Sequence, residues 1–313
     1  MSAPRLETPP DAGGPQTDLL SCANPPLALS AAGECLAGAL AAGAGLDQLA
    51  TWLLALGSAC LFAAGSLLSH HFRPAPAPPA ESFATRSSRP SVTSPESRAA
   101  LPLIGFGVAL SMTGGHTSGA FAVFTALLAV LYAGVTRRIW GAGVLTMGAA
   151  RGMNLLLGLS ISDSGVMRGS HLFIPVALYV AGWGLLRTSR QAGAPPATGF
   201  VGLIHLTLGM SAALFVGDML RYSGTQFYRL DAAPFVAALF LLVLPRAVRA
   251  VMEPRRAIVS EAVQYGFIGL LLFEAALTAG LVGAARALPV AALCFGLYGL
   301  LRRWPLSIVV GRS

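Results

Sequence analysis

The sequence predicts an all-α protein of the polytopic membrane class, and three observations predict it. Apolar stretches long enough to cross a bilayer alternate with short loops. The composition is 55% hydrophobic and only 11% charged, with a mean hydropathy of +0.68, too few polar groups to cover a soluble domain. Nearly all the arginines fall in every second loop, as the positive-inside rule expects.

A hydrocarbon core about 30 Å thick needs roughly 20 apolar residues as helix. Such stretches run near 27–45, 48–69, 99–115, 118–134, 141–161, 170–186, 198–219, 232–250, 261–284 and 287–303. The last is short and reads equally as a re-entrant or interfacial piece, so the expectation is a bundle of nine spans, or ten if it crosses. Runs such as Phe235 to Leu244 must be helical, because a lone strand in lipid leaves its backbone polar groups unsatisfied.

Residues 1–23 are expected to be a disordered cytoplasmic tail. Pro9, Pro10, Gly13, Gly14 and Pro15 lie where a secretory signal would need a basic start and an apolar core. Residues 24–304 form the membrane domain, with a long cytoplasmic loop at 70–100, and 305–313 a C-terminal tail. All 21 basic residues counted as Lys+Arg are arginine, and the net charge is +8. With the N-terminus inside, the arginines of the loops near 73–98, 137–138, 187–190, 246–256 and 302–303 are cytoplasmic. Only Arg168, Arg221, Arg229 and Arg286 then face outward. The charge is thus topological and gives no argument for nucleic acid; the expected location is the inner or plasma membrane.

Cys22, Cys35, Cys60 and Cys294 have no zinc-ligand spacing and read as small buried hydrophobes. Small residues recur in Gly38 to Gly43 at a spacing that permits close helix packing. Trp52, Trp140, Trp183 and Trp304 lie near stretch ends, as interfacial anchors do. His116, His171 and His205 are isolated. His70 and His71 are about 100° apart on a helix and do not chelate one ion together.

The 70–100 loop is long enough to suggest function or disorder. It contains a proline run from Pro74 to Pro79 and an RxxRPxxxS stretch from Arg86 through Arg89 and Pro90 to Ser94. Together with Asn24-Pro25 and the Gly33 to Gly38 segment, it resembles the UbiA superfamily of membrane prenyltransferases, most closely the EboC-like branch. The resemblance continues through Tyr132 to Arg138, the GAARGMNLLLG helix from Gly148 to Gly158, the segments His171 to Pro175 and Tyr179 to Gly182, and more loosely Leu272 to Ala276. It implies a UbiA-like fold and a transferase acting on an isoprenyl diphosphate, with Mg2+ held by two aspartate-rich motifs. Divalent cations on carboxylates would neutralise the diphosphate as it leaves.

The sequence departs from the family at both motifs. The expected Asn and two Asp positions read Ser69, His70 and Arg73, and the second region, Leu185 to Gln191, has no carboxylate. Glu81 and Glu96 lack a spacing that would place them on one helical face. The Mg2+ ligands are therefore absent, and no metal site is expected from these residues; the catalytic residues are unknown. What remains is cationic: Arg86, Arg89, Arg137 and Arg138 converge at the cytoplasmic mouth if the fold is kept. Arginine forks suit phosphate oxygens. For Arg137 and Arg138, phosphate binding and topological anchoring weigh equally; anchoring is favoured for Arg187 and Arg190.

Arg151 and Asn154 share a helical face inside the bilayer and should point into the bundle, with Glu34 or Glu274 either serving as the counter-ion or staying protonated. Tyr132, Arg151 and Asn154 join Arg86, Arg89, Arg137 and Arg138 as candidate substrate-binding residues. The expected partners are the bilayer and an isoprenyl diphosphate or other lipid phosphate, with a partner subunit left open. Three functions compete: an active prenyltransferase, a catalytically impaired pseudoenzyme or non-catalytic lipid-phosphate binder or scaffold, and a transporter. The transporter would need an internal repeat, and none is evident.

Overall fold

The computed structural model describes residues 19–72, 94–139, 141–189, 194–195, 197–221 and 229–303. Their regular structure is helical, with no strand among them. In chain order the helices are α1 (Leu19–Ala23), α2 (Pro25–Ala41), α3 (Leu49–His71), α4 (Pro95–Ser111), α5 (His116–Gly134), α6 (Ala142–Leu159), α7 (Asp163–Gly169), α8 (Phe173–Thr188), α9 (Thr198–Arg221), α10 (Arg229–Met252), α11 (Arg256–Val282) and α12 (Ala284–Arg303).

Local sequence accounts for several boundaries. Pro25 and Pro26 open α2, where their missing donors cost nothing. Ser94 caps α4 by accepting from the Ser97 amide at 3.2 Å, with Pro95 next and Glu96 in the first turn. Ser162 caps α7 in the same way, from Gly165 at 3.0 Å. Gly283, at φ +93°, makes the turn between α11 and α12.

Each of the ten apolar stretches read from the sequence falls on its own helix. Among the described residues, seven segments are long and apolar enough to cross a membrane by length and composition: α3, α5, α6, the segment Asp163–Thr188 containing α7 and α8, most of α10, α11 and α12. Helices α2 and α4, at 17 residues each, are shorter, and the apolar part of α9 runs over Thr198–Ala212. The sequence expectation of nine or ten spans thus stands against seven segments that meet both conditions. The stretch at 287–303, expected to be short, belongs to a 20-residue helix among the seven. Leu19–Ala23, assigned from the sequence to a disordered tail, form α1, and Cys22 within it is buried, its carbonyl accepting from Ser66 of α3 at 2.8 Å.

Helix α2 is the hub, packing against α3, α6, α11 and α12, while α8 joins α6 to α9 and α11. Ser58 Oγ lies 3.0 Å from the Ala31 carbonyl of α2 and Ser66 donates to the Cys22 carbonyl of α1, so α3 runs antiparallel to the α1–α2 segment. In contrast α2, α6 and α11 run parallel, with Gly38 against Leu155 and Leu159, and Thr278 bonded to the Ala37 carbonyl. Lipid offers no hydrophobic drive between helices, so close backbone approach must hold such a bundle. At the α2–α6 crossing a Cβ on Gly158 would lie 2.0 Å from the Cys35 carbonyl oxygen, and one on Gly38 would lie 2.4 Å from that of Leu155.

Cys22, Cys35 and Cys294 are buried, and none of the four cysteines forms a disulfide. Trp52 fits the interfacial reading, being 48% exposed with its indole nitrogen donating to the Leu46 carbonyl. Trp183 does not. It is buried in the largest core cluster beside Tyr179, because Gly266 of α11 leaves the space its ring fills. Trp140 and Trp304 lie outside the described residues.

Candidate functional site

The predicted site residues divide into two groups along the bundle axis. Arg137 and Arg138 stand at the end of the bundle where α3, α5 and α8 finish. Arg151 is the tenth residue of α6, about 14 Å further along at 1.5 Å per residue.

At the first position, the 3-10 turn Thr136–Arg138 places both guanidiniums against the C-terminal end of α3. Arg137 donates to the Ser69 carbonyl and Arg138 to the Phe72 carbonyl, the latter at 2.9 Å. A helix ends with carbonyls that lack intrahelical partners and with the negative end of its dipole, so arginine is a favourable cap there. Ser69 and His70 are half-buried. His71 Nδ1 and Ser94 Oγ are hydrogen-bonded at 2.7 Å, so the end of α3 is tied to the start of α4. Tyr132, also half-buried, lies in the last turn of α5. Arg187, in the last turn of α8, is half-buried. Arg73, Arg86, Arg89 and Arg190 lie outside the described residues.

Among the described residues, the donor set at this end does not fit magnesium. Hard divalent ions take carboxylate, carbonyl and water oxygens, whereas Arg137 brings a positive charge to Ser69 and the end of α8, Leu185 to Ser189, contains no acid. Among the described residues no three His, Cys, Asp or Glu side chains are placed to hold a metal ion.

The mid-bundle group is closed. Arg151 is 1% exposed and Glu34, Asn154 and Glu274 are 0% exposed. Arg151 Nη1 lies 3.3 Å from Glu34 Oε2, and Nη2 donates to Ser30 Oγ at 2.7 Å. Asn154 Nδ2 donates to the same Glu34 oxygen at 2.7 Å and to the Ala31 carbonyl at 2.8 Å, and Oδ1 accepts from Ser58 at 2.6 Å. The Phe62 and Phe267 rings flank the guanidinium, 4.6 and 5.8 Å from its carbon. Of the two counter-ions open from sequence, Glu34 makes the ion pair, while Glu274 sits near enough to interact with both charges. Ser30, Ser58, Phe62 and Phe267 were not legible in the sequence, since isolated serines and phenylalanines in apolar helices give no signal.

The chain superposes on a digeranylgeranylglyceryl phosphate synthase, a membrane prenyltransferase, with a TM-score of 0.58 at 18% sequence identity, covering 84% of this chain and 97% of that one. The chain shares the fold of that protein. No protein-family model and no curated protein matches the sequence. At this identity the likeness is one of fold alone, and a fold hosts many activities. Within the prenyltransferase fold, the arginine-capped end of α3 coincides with the segment where the sequence resemblance puts the first acidic motif.

Proposed function

We propose that this chain is a catalytically impaired UbiA-like homologue that binds an isoprenyl diphosphate or another lipid phosphate at its arginine-rich end, and that this end faces the cytoplasm. The observation supporting the reading is the pairing of Arg137 and Arg138 with the segment Ser69 to Phe72. Where a working diphosphate site would need carboxylates and magnesium, this chain offers guanidinium groups, whose planar forks suit phosphate oxygens without a metal. Arg151 and Asn154 shape the interior behind that mouth through their neighbours rather than through free donors. On the motifs quoted above, this reading places the chain with the EboC-like branch.

A second reading is favoured by the same contacts. Both guanidiniums already serve backbone carbonyls, so a purely structural cap and a scaffold role for the whole bundle also follow from them. Binding of a prenyl diphosphate to the detergent-purified chain, with magnesium and with chelator, separates the readings while diphosphate release is monitored. Magnesium-independent binding without release is expected. Magnesium-dependent release would mean a working transferase, and no binding would leave the scaffold.

A further inference from the structure

Three carboxylate oxygens at the centre of the bundle meet no hydrogen-bond donor: Glu34 Oε1 and both oxygens of Glu274. Both side chains are fully buried. A buried acceptor left without a donor is costly, and a buried unpaired charge much more so.

The neighbouring donors are engaged elsewhere. Arg151 Nη1 and Asn154 Nδ2 both go to the other Glu34 oxygen, and Arg151 Nη2 goes to Ser30. Gly33 packs against Leu271 and Thr278 bonds to the Ala37 carbonyl, so the parallel helices α2 and α11 bring Glu34 and Glu274 level; the other titratable groups that interact with Glu274 are Cys35 from α2, Arg151 from α6, Tyr179 from α8 and Cys294 from α12. Tyr179 donates its hydroxyl to the Gly266 carbonyl at 2.9 Å, and Cys294 its thiol to the Ile268 carbonyl at 3.7 Å. Two carboxylates beside one guanidinium leave a net negative charge in the interior.

We propose that the Glu274 and Glu34 carboxyl groups share one hydrogen, forming a proton-binding site that ties α11 to the α2–α6 pair. That hydrogen supplies a donor between two of the three oxygens and brings the cluster to zero net charge. A metal ion is the poorer occupant, because hard cations take about six or more oxygens and the adjacent guanidinium repels them. The site does not depend on any ligand at the arginine-rich end.

The test uses the full chain in detergent. A protonated-carboxylic-acid carbonyl band is expected in the infrared at neutral pH, and Glu274→Gln should remove it, since glutamine supplies the hydrogen permanently. Unfolding in mixed micelles gives a second readout. Unfolded glutamates ionise near pH 4.3, so above that value the folded chain keeps a proton the unfolded chain has lost. Stability therefore falls as pH rises, and the parent's unfolding constant grows about tenfold more per pH unit than that of Glu274→Gln. Absence of the acid band in the parent, equal slopes in parent and variant, or stabilisation by sodium over choline at equal ionic strength would each overturn the proposal. Should Glu274→Gln not fold, the parent's band and its sodium response decide.

Discussion

Ser58 of α3 donates its hydroxyl to the side-chain oxygen of Asn154 on α6 across 2.6 Å. The Glu34 carboxylate oxygen and the Ala31 carbonyl, which only accept, fix which way the amide points: its nitrogen donates to these two on α2, and its oxygen is left to accept from α3. Asn154→Asp keeps the shape but replaces the donor with a third acceptor facing two others. It should therefore destabilise more than Asn154→Ala, which loses about 1–3 kcal/mol for each buried group left unsatisfied. Unfolding in mixed micelles would show this; an Asp variant as stable as the parent would mean the amide is oriented the other way.

Arg151→Met removes the guanidinium and leaves Glu34 buried without its ionic partner. Breaking a buried pair in this way costs about 3–5 kcal/mol. Adding Glu34→Gln should recover part of the loss, because the stranded charge goes with it. A double-mutant cycle with no coupling between the two positions would argue against the pairing.

Gly158→Ala drives a methyl group into the Cys35 carbonyl oxygen 2.0 Å away. Backbone cannot yield as a side-chain tip can, so a loss of about 1–3 kcal/mol or more is expected. Gly105→Ala is the control, since nothing lies within 4 Å of its added Cβ; it should be neutral or gain about 0.5–1 kcal/mol from helix propensity. Comparing melting midpoints of the two variants measures the difference.

Arg138→Gln should weaken prenyl diphosphate binding roughly tenfold or more, as expected for a hydrogen bond to a charged group worth about 1.5–3 kcal/mol, and should leave binding independent of magnesium. Unchanged affinity with a lowered melting midpoint would assign Arg138 to the helix cap alone.

Paired changes His70→Asp and Arg73→Asp restore the two acids that the family pattern expects at these positions. Magnesium-dependent diphosphate binding should then appear where the parent's binding ignores the metal, read by titration with and without chelator. No response to magnesium in this variant would mean that other parts of the site have also departed from the pattern.

The fold was legible because apolar length is a local property. Each stretch from 27–45 to 287–303 matches one helix, and the inward face of Arg151 and Asn154 follows from their three-residue spacing. The choice of Glu34 over Glu274 as the ion-pair partner was not legible, since both are single acids in apolar helices and only the crossing at Gly38 and Gly158 brings α2 to α6. Trp183 misled because its place near a stretch end resembles an anchor, while the space that receives it belongs to Gly266, 83 positions away. The caps by Arg137 and Arg138 were equally out of reach, as carbonyl partners leave no trace in side-chain identity.

The hydrogen bond between His71 and Ser94 joins the two ends of the segment 73–93. A fluorescent reporter or protease-cleavage sequence inserted between 73 and 93 should leave the helices packed as before, and the compartment in which it lights up or is cut would reveal which face of the membrane this end occupies.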